Sequence, residues 1–112
     1  MSRHIGDQFE TEVAKLLAAK KTANSGAMFN DGDLQTDHFV IECKFTTKDS
    51  KTISVKQDYI DHVSKQAEML SKEWAVVLGS PHHSGYALVT LDTLSYLLDL
   101  IPHSNKKNKT ND

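Results

Sequence analysis

The sequence is poor in cysteine, which forms disulfides, and in proline and glycine, which favour tight turns. It has one cysteine, two prolines and five glycines among 112 residues. A single cysteine excludes a disulfide framework within the chain and a zinc site made of cysteines. No apolar run approaches the roughly 20 residues that cross a membrane, and the N-terminal segment is polar where a secretion signal would be apolar. We therefore expect a cytoplasmic protein.

The sequence also has no excess of basic residues. It contains 13 lysines and arginines and 15 aspartates and glutamates, which gives a net charge of −2. This balance argues against a general polyanion binder with a basic surface. It does not exclude a nuclease, since metal-binding carboxylates lower the formal charge and a few local lysines still form a phosphate track. We expect residues 1–102 to form a single domain and the polar segment 103–112 to be a disordered tail.

Apolar periodicity predicts the element order α-β-β-β-α-β-β-α, which is an α/β fold with a central mixed sheet flanked by helices. Ser54 is the expected N-cap of the second helix. SPHHSG is the expected loop between the last two strands, and these two strands are expected to be central in the sheet and covered on both faces. The predicted helices span 3–20, 55–72 and 91–101, and the predicted strands span 27–29, 33–35, 39–45, 74–79 and 86–90.

The strand FVIECKF, residues 39–45, reads as core and yet carries a glutamate and a lysine. Alternation along a strand places Ile41 and Cys43 on one face and Glu42 and Lys44 on the other. One interpretation is a half-exposed strand with an ion pair of little energetic value on its outer face. Cys43, on the apolar face, is expected to be a core residue.

A predicted hairpin adds a second carboxylate to the first. Pairing of the strand that begins at Asp33 with the strand 39–45 brings Asp33 and Glu42 to the same end of adjacent strands. Two carboxylates and the Cys43 carbonyl form a plausible cradle for a divalent cation that prefers oxygen ligands. With Lys44 beside them, these are the groups that a magnesium-dependent phosphodiesterase needs.

An ordered set of motifs runs along the chain from Gly6 to Gly79, about two thirds of its length: Phe9-Glu10, Ser25-Gly26-Ala27, Gly32-Asp33 and Glu42-Cys43-Lys44. This set resembles the PD-(D/E)XK nuclease superfamily, and within it the small archaeal and phage Holliday-junction resolvases. Gly-Asp stands where the family name has Pro-Asp.

The resemblance implies a restriction-endonuclease-like core and a role for each matching position. Asp33 and Glu42 would ligate Mg²⁺, for which Mn²⁺ can substitute, and Glu10 would assist through water, with Glu12 as its rival. Lys44 would position the attacking water, and Ser25 would belong to the site. Gln66 and Lys65, on the helix that follows, are implied as contacts to the scissile phosphate of DNA or to Lys44, and their ordinary interpretation is as solvent-facing helix residues.

Other side chains have both a functional and an ordinary interpretation. The lysines at 48, 51 and 56 follow the central strand closely and either track phosphate or are simply solvated. The pair His82-His83 suggests zinc, but adjacent side chains diverge and no third ligand is near in sequence, so loop histidines are expected. Trp74 is expected to be core.

We expect a Mg²⁺-dependent, structure-selective DNA endonuclease that resolves four-way junctions as a homodimer in a prokaryote or a phage-infected host. The alternatives are another nuclease on the same core (nicking, restriction-like or single-strand) and a DNA- or protein-binding module without catalysis. The dimer interface is expected in the C-terminal third, formed by the strands WAVVLG and YALVT and the helix 91–101, because they offer more apolar surface than one small domain must cover.

Overall fold

A computed structural model describes the backbone of residues 2–21, 33–47, 51–81 and 83–102, and the side chains of the same residues except 2–5, 33 and 84. These residues form an α/β fold in which a five-stranded mixed sheet is flanked by helices. The predicted fold class is confirmed at this level. The predicted strand 27–29 and the predicted tail 103–112 lie outside the described residues.

The sheet has the order β1-β2-β3-β4-β5, and the parallel pair β3–β4 is joined by a helix. The other neighbouring strands are antiparallel. The elements are α1 (Ser2–Leu17), β1 (Lys20–Lys21), β2 (Asp33–Gln35), β3 (Phe39–Phe45), α2 (Gln57–Leu70), β4 (Glu73–Ser80), β5 (His83–Leu88) and α3 (Leu91–Asp99).

The first helix ends three residues earlier than its sequence pattern indicates. Ala18 adopts a left-handed conformation with φ 54°, and the backbone N–H of Ala19 donates to the Ala14 carbonyl at 2.9 Å. This is the turn that commonly closes a helix, and glycine is its usual marker in a sequence. Because alanine occupies the position here, the periodicity alone extended the helix through Lys20, which instead begins β1.

The hairpin β2–β3 follows the prediction. The backbone N–H of Thr36 donates to the Phe39 carbonyl at 2.9 Å, which closes a four-residue turn. The Thr36 hydroxyl accepts from the backbone N–H of His38 at 3.2 Å and of Phe39 at 3.0 Å. A threonine that bonds its own turn in this way fixes the register of the strands on either side.

Each face of the sheet has its own core. On one face, α1 packs Phe9 and Val13 against side chains of the sheet that include Ile41 and Cys43. On the other face, α2 packs its buried residues against the sheet. The residues of this second core are Val40, Val63, Ala67, Val76 and Leu78, with Trp74 packed at its margin.

The second half of the chain differs from the prediction in three places. Ser54 is not the cap of α2, because that helix begins at Gln57 with Lys56 at the N-cap and without a side-chain capping bond. The expected loop SPHHSG is largely strand, since β4 runs to Ser80 and β5 starts at His83. Strand β5 lies at the sheet edge instead of the centre, and Tyr86 is exposed.

None of the helices that the structure describes combines the length and the apolar composition that crossing a bilayer requires.

Candidate active site

The central feature is the face of β3 that carries Glu42 and Lys44. Val40 belongs to the core beneath α2, whereas Ile41 and Cys43 belong to the core beneath α1. Alternation along the strand therefore turns Glu42 and Lys44 toward α2. The face that could have been a solvent-exposed outer surface is covered by a helix.

Burial makes the two partners of the ion pair unequal. Glu42 Oε2 lies 3.1 Å from Lys44 Nζ, and the exposed fractions of the side chains are 6% for the glutamate and 41% for the lysine. The ammonium also lies over the ring of Tyr59 on α2, 4.6 Å from its centroid. Lys44 is therefore held between a carboxylate and an aromatic face, with its remaining surface open to solvent.

The other oxygen of Glu42, Oε1, is buried and has no hydrogen-bond partner among the residues that the structure describes. A buried acceptor that is left unpaired costs free energy, and the cost is larger for a charged group than for a neutral one. This oxygen is thus placed to accept a proton donor or a cation.

Asp33 lies directly across from Glu42 in the register of β2 and β3. This pairing is what the predicted hairpin required, and it brings two of the expected metal-ligating positions onto neighbouring strands. Among the side chains that the structure describes, which do not include that of Asp33, no group of three or more His, Cys, Asp or Glu is arranged to hold a metal ion.

A cavity of about 370 Å³ opens beside Lys44. It lies at the carboxyl ends of the parallel strands, where the backbone N–H of Thr46 donates to the Gly79 carbonyl at 3.0 Å. Open α/β sheets commonly bind ligands at this edge. The side chains of the wall that suit an anion are Lys44, Thr46, Thr52, Ser54 and Lys56.

The lysines predicted to track phosphate occupy different settings. Lys56 is exposed and lines the cavity. Lys51 and Lys65 are exposed, on the loop after β3 and on α2 respectively. Lys48 and Ser25 lie outside the described residues.

Gln66 is not placed like a surface contact. Its Oε1 is buried and has no hydrogen-bond partner among the described residues. Its neighbour on α2, Ala67, is fully packed in the second core. The side-chain oxygen of Gln66 therefore faces the protein interior.

Glu10 and Glu12, the two candidate glutamates on α1, differ in burial. Glu10 is 8% exposed, whereas Glu12 is exposed. Its Oε1 lies 3.4 Å from Lys21 Nζ, and Lys21 pairs with the buried Leu34 in the β1–β2 register. Paired residues of adjacent strands share a face, so this ion pair lies on the α1 side of the sheet.

The sequence did not predict the contacts of two residues, Tyr59 with Lys44 and Lys21 with Glu10. Lys21 was missed because it was expected just after a helix. The available indication for Tyr59 was its spacing of seven residues from Gln66, which places both on one side of α2.

His83 lies in strand β5 and not in a loop, and its Nδ1 lies 3.4 Å from the Tyr86 hydroxyl. His82 lies outside the described residues.

Comparison with protein-family models, with curated proteins and with solved structures gives no match. The residues around Glu42 and Lys44, and their geometry, are therefore the basis for assigning a function to this chain.

Proposed function

We propose that this protein is a Mg²⁺-dependent, structure-selective DNA endonuclease with a restriction-endonuclease-like core, and that its substrate is a four-way junction. The observation that supports this proposal is the environment of Glu42. A carboxylate buried beneath α2 keeps one oxygen unpaired, lies across from Asp33, and holds Lys44 at 3.1 Å beside an open cavity.

The residues fit a divalent cation. Mg²⁺ prefers oxygen ligands and is commonly held by one or two carboxylates with water completing its shell. Glu42 Oε1 is an unpaired acceptor, and the opposite position on β2 is an aspartate. Asp33 and Glu42 would hold the cation, with the Cys43 carbonyl as a further oxygen. The sequence predicts that Glu10 assists through water, but its ion pair with Lys21 lies on the α1 side of the sheet, opposite the face of Glu42, so we leave Glu10 out of the proposed metal site.

In the proposed reaction, water attacks phosphorus in line with the leaving oxygen. When bound, a divalent cation would neutralise charge at the phosphate and lower the pKa of water. Lys44 Nζ carries three N–H donors, and Glu42 Oε2 lies within reach of one of them at 3.1 Å. The others are available for a water molecule and a phosphate oxygen. The Tyr59 ring restricts the ammonium position and so reduces the entropy lost on binding.

The wall of the cavity beside Lys44 would contact phosphates of a DNA backbone next to the one that is cut. Lys56 and the hydroxyls of Thr46, Thr52 and Ser54 lie within its wall, and such groups bind phosphate oxygens without reading sequence. Lys51 and Lys65 are exposed on neighbouring elements. We assign them, with Lys48 and Ser25, to DNA contact or to the margin of the site.

A junction resolvase must cut two strands, which calls for two sites. The described surface contains an apolar stripe for an interface between two copies, formed by Leu91, Leu94 and Leu98 on α3 and Ile101 just beyond it, all of them exposed. Tyr86 on the edge strand β5 is exposed as well. Strand β4 contributes little, since most of its side chains are buried, so the expected interface narrows to β5 and α3.

The experiment is cleavage of four labelled substrates (a four-way junction, a flap, a single strand and a duplex) with Mg²⁺, Mn²⁺ or Ca²⁺. We expect symmetric cuts in the junction with Mg²⁺ and Mn²⁺, and binding without cleavage in Ca²⁺. Glu42→Gln should abolish cutting, and Glu12→Gln, an exposed glutamate on α1, should not. Cleavage that survives exhaustive EDTA treatment would contradict the mechanism, and binding without cleavage in every metal would favour a non-catalytic module.

A further inference from the structure

Two buried oxygens lack hydrogen-bond partners among the described side chains: Glu42 Oε1 on β3 and Gln66 Oε1 on α2. Both are acceptors, so neither satisfies the other. Most buried polar atoms in folded proteins are paired, and each exception calls for a physical explanation.

The topology places both oxygens on the same side of the sheet. Strands β3 and β4 are parallel and α2 connects them, so α2 runs back against the direction of β3. Val63 and Ala67, which flank Gln66 on the helix, share a core with Val40 and Val76. Val40 lies two residues before Glu42 on the same face, and Val76 is the register partner of Glu42 on β4.

The contact between Tyr59 and Lys44 sets the alignment of helix and strand. Gln66 lies seven residues beyond Tyr59, which is nearly two helical turns and a rise of about 10 Å on the same side of α2. Moving from Lys44 toward the beginning of β3 by about 7 Å reaches Glu42. Gln66 is therefore positioned over the region of Glu42, and their two unpaired oxygens face the layer between α2 and β3.

We infer that Gln66 Oε1 is a ligand of the divalent cation, together with Glu42 Oε1. A cation satisfies two acceptors at once, as a bridging water would with its two O–H donors, and amide oxygens are accepted ligands of Mg²⁺, Mn²⁺ and Ca²⁺. This inference rests on the proposed function and assigns Gln66 to the metal in place of a contact with DNA. It also explains why a glutamine oxygen is buried at a helix position next to Lys65, which is exposed.

The test is Mn²⁺ binding by isothermal titration calorimetry to the full-length protein without DNA. Gln66→Leu should weaken binding by about 10-fold to 100-fold, because one ligand is lost. Gln66→Glu should bind at least as tightly as the wild type, because it preserves the shape and supplies an anionic oxygen. Gln57 is the matched control: it lies on the same helix, is exposed, and donates to Asp61 at 3.0 Å. Gln57→Leu and Gln57→Glu should leave Mn²⁺ binding unchanged.

The alternative role for Gln66 is donation of its amide N–H to Glu42, with no contact to the cation. In that case Gln66→Glu would place a second carboxylate against the first without a donor. Loss of Mn²⁺ binding in Gln66→Glu, or wild-type binding in Gln66→Leu, would overturn the inference. Circular dichroism confirms that each variant is folded, and the isosteric Gln66→Glu keeps the test decisive if the leucine variant does not fold. A wild-type protein that binds no Mn²⁺ would overturn the proposed function itself.

Discussion

Glu42 illustrates how burial changes the value of an ion pair. On a solvent-exposed strand, a glutamate and a lysine two residues apart contribute little to stability. Here the glutamate lies beneath α2 with one oxygen on Lys44 and the other unpaired. Such an arrangement costs desolvation energy.

Lys44 is expected to act in the chemical step and not in metal binding. Lys44→Ala should lower the cleavage rate by about 100-fold or more, as the loss of a positioned donor to a developing charge does. Mn²⁺ affinity should stay the same or increase, because a neighbouring positive charge is gone. Single-turnover cleavage and calorimetry measure the two quantities. Lys15→Ala, at an exposed position of α1, is the control.

Asp33 should behave differently from Lys44. Asp33→Asn removes the negative charge of the residue that pairs with Glu42 in the strand register, so we expect Mn²⁺ affinity to fall about tenfold or more and cleavage to fall with it. Calorimetry and single-turnover cleavage separate this pattern from that of Lys44→Ala. If both variants cut at the wild-type rate, the site is elsewhere.

At the scale of elements, the packing of α1 on the sheet depends on Gly79. A Cβ at this position of β4 would collide with the Phe9 ring, and Phe9 also packs on Phe45, with ring centroids 5.2 Å apart. Gly79 lines the cavity beside Lys44 as well. The absence of a side chain at Gly79 therefore lets α1 approach the sheet at the edge where the site opens.

Gly79→Ala should lower the free energy of unfolding by about 1–3 kcal/mol, because the ring must move to accept the methyl group. Gly6→Ala is the matched control. Gly6 lies in α1, and nothing is within 4 Å of the position a Cβ would take, so that substitution should stabilise the protein by about 0.5–1 kcal/mol. Urea unfolding measures both. Equal stability of Gly79→Ala and the wild type would show that Phe9 adjusts freely.

At the scale of the whole molecule, α3 is attached to the fold through few buried side chains. Thr93 is its buried residue, and the Thr93 hydroxyl donates to Glu73 Oε1 at 2.9 Å. The leucines of the opposite side remain exposed. A helix that keeps its apolar stripe outside the core of its own domain is suited to pack against a second copy.

We expect light scattering at micromolar protein to give twice the mass of the 12.5 kDa chain. The variant Leu91→Glu should have the mass of the monomer and should make fewer paired cuts in a junction. Leu16→Glu is a close control, because Leu16 on α1 and Leu91 on α3 are both 82% exposed. A monomer with no doubling on junction DNA would contradict the dimer and the resolvase assignment, and would leave a general nuclease.

The sequence by itself determined the α/β fold class, the three helices and the strands from Asp33 onward, the hairpin that pairs Asp33 with Glu42, and the alternation that puts Glu42 and Lys44 on one face of β3. These follow from local periodicity and turn chemistry, which act over a few residues. The sequence did not indicate β1 at Lys20–Lys21. The ends of the helices were less predictable, since the left-handed turn at Ala18 has no glycine to mark it.

Only the tertiary structure decided that α2 covers the face of Glu42, that Tyr59 lies against Lys44, and that Gln66 turns its oxygen inward. It also decided that Glu10 pairs with Lys21 and that β5 is an edge strand. Each of these depends on contacts between elements that are distant along the chain. Burial and partnership arise from how helices and strands pack together, and the spacing of residues within one element does not contain that information.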